Sequence, residues 1–196
     1  MKIESLKTLK AVSIVFLLCL FLNACSQTQN NNEAEAEGVT ATTVKAPKTP
    51  IHDAVIIGDL AAVKQHIAAN TDLNKKESIG GATPLILATV FGRDEIAKEL
   101  IENNAKLNIQ NNDGSTAVHT AAFFCRTEIL EMLLEAGADK SVKNNFGATA
   151  LESTQAPFEA VEGIYNMMAQ QLKGMGLQLD MERIEKTRPQ VVDMLK

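Results

Sequence analysis

Apolar residues fall in short amphipathic blocks punctuated by Gly and Asn. Between 83 and 103, Thr83-Pro84 precedes Leu85, Leu87 and Ala88. Gly92 interrupts, and Ile96, Leu100 and Ile101 then fall at i, i+4, i+5. This predicts a first helix N-capped by Thr83, with Pro84 at its first position, where the missing N–H is harmless. Gly92 ends it, because glycine takes positive φ without penalty. A second helix, from about 94 to 103, buries Ile96, Leu100 and Ile101 on one face. The grammar returns in the next block. Asn112-Asp113-Gly114 signals a turn, Thr116 caps, and Val118, Ala121 and Ala122 pack. Ile129, Leu133 and Leu134 face inward, and Gly137-Ala138-Asp139 closes the unit. Thr83, Thr116 and Thr149 recur at every thirty-third position, and a fixed period of this length is the mark of a stacked-repeat solenoid. The predicted class is all-α, built of helix-turn-helix units.

The first unit, 51–80, is degenerate but alignable: Ile51-His52-Asp53-Ala54 matches Leu85-Ile86-Leu87-Ala88, Gly58 matches Gly92, and Ile67 matches Ile101. Its closing loop is one residue longer. Units follow at 81–113 and 114–146, and a fourth begins at 147. There Gln155-Ala156-Pro157 interrupts the pattern, and 155–196 reads as an elaborated helical cap. Phe158, Val161, Ile164, Tyr165, Met168 and Leu172 share one side, and Gly174 and Gly176 end that helix. Asp180 is placed to cap a short helix through Lys186, and Pro189 to start a last one carrying Val191, Val192 and Leu195. An end unit has no neighbour to cover it, so an unusual terminal unit is expected.

Asp113-Gly114-Ser115-Thr116-Ala117-Val118-His119-Thr120-Ala121-Ala122 and Leu133-Leu134-Glu135-Ala136-Gly137-Ala138-Asp139 resemble the ankyrin repeat. The resemblance covers about 51–153. It departs at Ile86, Ala117 and Cys125, where the family has His, Pro and Gly. It implies short β-hairpin-like loops and a concave binding surface. It also implies that His119 bridges neighbouring units. The residues ending each first helix are Ile56-Ile57, Val90-Phe91 and Phe123-Phe124, which by this resemblance lie near the concave surface. They form either an exposed apolar stripe for a partner or packing between units and against the cap. The loop tips add Lys76, Glu77, Gln110, Asn112, Asn145 and Phe146 as candidate partner-binding residues.

The N-terminus is built differently. Lys2, Lys7 and Lys10 precede an apolar run from Ala11 to Leu22. That run is too short to span a bilayer and has the size of a signal-peptide core. Leu22-Asn23-Ala24-Cys25 resembles a bacterial lipobox, which implies a leader at 1–24 and lipidation of Cys25. More than one acyl chain gives stable anchoring. Ser26, in place of the Asp that resembles an inner-membrane retention signal, implies an outer-membrane address facing the periplasm. Residues 25–50 read as a disordered tether with almost no large apolar side chains, reaching roughly 25–30 Å. After the leader and Cys25, only Cys125 remains, so an intramolecular disulfide is excluded.

Net charge is −5, and 22% of residues are charged. No basic patch and one Tyr without Trp argue against nucleic acid. No nucleophile elbow, phosphate loop or paired-histidine zinc motif occurs. His52, His66 and His119 sit at different repeat phases, and 155–196 holds no His, Cys or Ser. Glu128, Glu131 and Glu135 read as a solvated face, and Cys125 as a small packing residue. No cofactor and no metal are expected. The sequence points to a monomeric, non-enzymatic protein–protein interaction module tethered to a membrane, with an unidentified protein partner. The alternative is a periplasmic inhibitor or immunity protein that neutralises a toxin or enzyme.

Overall fold

The computed structural model describes residues 44–196. The expected leader, Cys25 and the first part of the expected tether lie outside the described residues. Nine α-helices follow in the described chain: α1 (Ile51–Ile57), α2 (Leu60–Ala68), α3 (Pro84–Phe91), α4 (Asp94–Glu102), α5 (Ala117–Phe123), α6 (Thr127–Glu135), α7 (Ala150–Thr154), α8 (Phe158–Leu172) and α9 (Met181–Leu195). Helices α1, α3, α5 and α7 form an inner row, each packed on the next. Helices α2, α4 and α6 form an outer row paired with it.

The expected caps are in place. Thr83 Oγ1 accepts from the N–H of Ile86 at 3.3 Å, with Pro84 at the first helical position. Thr149 and Glu152 form a reciprocal capping box. Each satisfied cap stabilises its helix by about 1 kcal/mol. The outer helices end on a left-handed residue, Asn70, Asn104 and Gly137 in turn. The core runs continuously through the stack, with Val55, Val63, Leu85, Leu100, Val118, Ile129, Leu130 and Leu133 all fully buried. Each such side chain contributes about 1.5–3 kcal/mol of burial free energy.

Two expectations change. Residues 44–50, read as tether, are tied to α2: His66 Nε2 bonds the carbonyl of Thr49 at 2.8 Å, and Gln65 Nε2 donates to that of Lys45 at 3.0 Å. His66 is buried and also reaches Thr71 Oγ1 at 3.0 Å, so it fastens the front of the stack. At the other end, residues 181–195 are one helix with Pro189 inside it, not two helices. Pro189 is exposed, so the carbonyl deprived of its N–H partner faces water and the break costs little. Ile184, Arg188, Val191 and Leu195 form a continuous buried stripe through the proline.

The fourth unit keeps a five-residue inner helix, α7. In place of a simple outer helix it has α8, a 3-10 turn at Lys173–Met175, and α9, which packs on α7 and α5. No strand is assigned among the described residues, although the loops close like hairpins.

Candidate interaction surface

The three apolar pairs do not make one exposed stripe. Phe91 (7% exposed) and Phe124 (2%) belong to the core, while Ile57 is 65% exposed at the open front of the stack. Ile56, Val90 and Phe123 are half-buried and pack against the core. Truncating Phe91 or Phe124 therefore opens a cavity costing about 3–5 kcal/mol, and reports on folding rather than on binding.

What covers the end of the row is the cap. The ring of Tyr165, on α8, stacks on Phe123 with centroids 4.5 Å apart and meets Phe124 edge-on and Phe158 face-to-face. Its hydroxyl donates to the carbonyl of Phe123 and accepts from Arg188 Nη1 at 2.9 Å. Arg188 is itself buried, and its Nη2 donates to the carbonyls of Thr154 at 2.6 Å and Ala156 at 2.7 Å. Burial pushes the Tyr165 phenol up to about 12, so it remains a donor at neutral pH.

This arrangement continues a device used between repeats. Arg93 Nη2 donates back to the carbonyl of Ile56 at 2.7 Å, and Arg126 Nη2 to that of Val90 at 3.3 Å. Phe123 is the next acceptor in the series, and the Tyr165 hydroxyl takes the place of a third arginine. The same change explains Cys125. At Gly92 (φ 60°) a Cβ would lie 2.7 Å from Arg126 Cζ, so a side chain there would have to push the guanidinium aside. Beside Cys125 (φ 50°) the neighbour is α9: its Sγ lies 3.6 Å from the carbonyl oxygen of Ile184, and Arg183 Nη1 donates to the Cys125 carbonyl at 3.0 Å. The thiol is fully buried and its pKa is raised by burial, so it is a packing group rather than a nucleophile.

The loops form a second, parallel ladder. In each loop one side chain cradles the turn. Asn111 Oδ1 accepts from the N–H groups of Asp113 and Ser115, and Asn144 Oδ1 from those of Phe146 and Ala148. The first loop is one residue longer, and the longer Glu77 does the same for Ile79, Gly80 and Ala82 at 2.6–2.9 Å. Successive loops are then bonded together. Asn112 donates from its backbone N–H to Gly80 and from Nδ2 to Ile79. Asn145 donates likewise to Asp113 and Asn112. Gln110 Nε2 bridges the carbonyls of Gly114 and Lys143. Thus Glu77, Gln110, Asn112 and Asn145 are structural ties of the loop edge. Of the tips named from sequence, Lys76 and Phe146 (43% exposed) stand free. Ile79, 68% exposed and absent from the sequence reading, joins them on this edge.

Each donor pair in this edge repeats at the interval of the threonine caps, and the match to known sequences covers the first three units of this series. The family model described as ankyrin repeats, in three copies, fits residues 51–144. Residues 51–144 are ankyrin repeats. A curated relative, ankyrin repeat and SAM domain-containing protein 6 of Rattus norvegicus, is 35% identical over 66 residues. These make up 34% of this chain and 8% of the relative, so the chain spans under a tenth of that protein. Ankyrin repeats are in general protein–protein interaction modules, and the family is typically non-enzymatic.

His119 occupies the bridging position of these ankyrin repeats. Its Nδ1 accepts from the N–H of Thr116 at 3.3 Å, and Nε2 then donates to the carbonyl of Ala148 in the following unit at 3.2 Å. Burial lowers its pKa. His52 bonds the carbonyl of Lys75 at 2.7 Å, so all three histidines are engaged in separate structural contacts. Glu128, Glu131 and Glu135 are exposed, as a solvated face requires. No group of three metal-ligating side chains converges among the described residues.

Proposed function

We propose that the chain is a non-enzymatic binding module, held at a membrane and facing the periplasm, that grips a protein partner through the loop edge and adjoining concave side of its ankyrin stack. The observation that carries this reading is the loop edge itself. Ile79 and Phe146 are exposed on turns that internal hydrogen bonds already fix. A partner docking there orders little of this protein, and preorganisation of that kind favours affinity. Lys76 is exposed on the same loop as Ile79 and adds a charged group to this edge. The Leu22-Asn23-Ala24-Cys25 sequence supports the lipid anchor, and Ser26 the outer membrane.

The test is co-purification from native membranes. The wild-type chain should bring down a stoichiometric protein that Ile79→Asp combined with Phe146→Asp fails to recover at an unchanged melting temperature. Equal recovery by the folded double variant would reject the loop edge. Fractionation tests the anchor separately: Cys25→Ala should leave the membrane fraction, and its persistence there would reject lipidation.

A further inference from the structure

The loop ladder has two filled rungs and one open one. On the first rung, Ile79 and Gly80 carbonyls accept from Nδ2 and N of Asn112, at 3.0 and 2.9 Å. On the second, Asn112 and Asp113 carbonyls accept from Nδ2 and N of Asn145, at 2.9 and 3.0 Å. The third would use the carbonyls of Asn145 and Phe146, and among the described residues neither accepts a hydrogen bond. The glycines record the same series. A Cβ on Gly81 would lie 2.3 Å from Asn112 Oδ1, and one on Gly114 would lie 2.5 Å from Asn145 Oδ1. Over Gly147, which has a similar positive φ, no atom other than those of its two chain neighbours lies within 4 Å of where a Cβ would stand. Phe146, the residue before Gly147, is exposed.

Each filled rung takes the same element, an asparagine two residues before a glycine: Asn112-Asp113-Gly114 and Asn145-Phe146-Gly147. These are the only two Asn-x-Gly triplets in the 196 residues, and both are used. A second copy of the chain lacks the element at its front, where the corresponding loop reads Ile79-Gly80-Gly81 and the Ile79 N–H is held by Glu77.

We propose that the open rung at Asn145–Gly147 is a docking site for a turn of the partner protein carrying Asn-x-Gly. Its asparagine donates from the backbone N–H to Phe146 and from Nδ2 to Asn145, and lies flat over Gly147. The partner thus extends the ladder by one rung, as an added strand extends a sheet edge. Phe146 supplies the apolar contact beside it. This rests on the interaction-module reading and specifies which chemistry that partner presents.

The test uses a fluorescein-labelled cyclic peptide copying 109–116, Ile-Gln-Asn-Asn-Asp-Gly-Ser-Thr, titrated with the full-length chain and read by anisotropy. Saturable binding is expected, weakened at least tenfold when the second Asn of the peptide is Ala. The same loss is expected for Gly147→Asn in the protein. Asn tolerates the left-handed conformation, and its side chain enters only the open space over the rung, so the melting temperature should hold. The peptide change leaves the protein untouched, which keeps the test decisive whatever Gly147→Asn does to folding. Absence of saturable binding at millimolar protein, or equal binding by the Asn→Ala peptide, overturns the proposal. Self-association of the unlabelled chain that Gly147→Asn abolishes would assign the rung to a second copy and also overturn it. Failure of the peptide with retained co-purification of a partner separates this inference from the broader reading.

Discussion

Tyr165→Phe is the most direct probe of how the cap is held. The substitution keeps the ring stacked on Phe123 and removes one oxygen. That oxygen serves two buried bonds, to the Phe123 carbonyl and from Arg188 Nη1. Without it, a carbonyl and one N–H of a buried guanidinium lose their partners, while Arg188 keeps its bonds to Thr154 and Ala156. An orphaned buried group costs about 1–3 kcal/mol, and losses within one network are not additive, so the pair predicts a loss of about 2–4 kcal/mol. For a folded unit of this size that is about 5–15 °C in melting temperature, read by circular dichroism and by urea midpoint at unchanged slope. The pH dependence sharpens the test. The folded phenol lies at about 12, above the ordinary value of 10. Protonated Tyr165 therefore contributes stability in full below pH 10, and loses it as pH rises from 10 through 12. Two pH units correspond to a stability change on the order of 2–3 kcal/mol. The wild-type advantage over Tyr165→Phe should shrink across that window. A difference at pH 7 no larger than an ordinary surface substitution gives, about 0.5 kcal/mol, or parallel pH curves, would show that the hydroxyl does not hold the cap.

Three further outcomes follow from the same contacts. His119 is neutral in the folded state with its pKa lowered, so its contribution is complete above about pH 6.5 and falls away as pH drops below it; urea midpoints at pH 7.5 and 5 should fall further apart for wild type than for His119→Gln. The buried Cys125 thiol, beneath the Ile184 carbonyl of α9, should react with iodoacetamide no faster than the stack unfolds. Fast labelling of native protein would show that α9 opens on its own. Gly92→Ala and Gly147→Ala impose similar backbone strain, of about 1–2 kcal/mol, but only the first drives a Cβ into a guanidinium; thermal melts should show Gly92→Ala as the more destabilising, and equal losses would mean that Arg126 yields freely.

The inner and outer rows are legible in the sequence because their signals are local. A threonine before a buried run, a glycine after it and apolar residues at helical spacing act within one unit. The cap is only half legible. Arg188 sits in the buried stripe of α9, and its charge breaks the apolar pattern that would otherwise carry the helix through Pro189. Nothing in the sequence marks that its three acceptors, the Tyr165 hydroxyl and two backbone carbonyls, come from segments 23 to 34 residues away.

The loop residues mislead for a different reason. Asn112, Asn145, Gln110 and Glu77 are polar and lie in turns, which suits either a binding tip or a tie between units. The period distinguishes the two. Asn112 and Asn145 are separated by the same interval as the threonine caps, and a group that recurs at the repeat interval serves the contact that recurs there, the one between units. Positions where the period breaks lack that duty. Ile79 stands where Asn112 and Asn145 do, and Lys143 stands where Gln110 bridges two loops. Cys125 stands where Gly92 admits an arginine. Each break lies where a neighbouring unit is absent or replaced by the cap. The exposed positions released from contacts between units therefore lie at the two ends of the stack and at single breaks along its loop edge, rather than along the buried inner row.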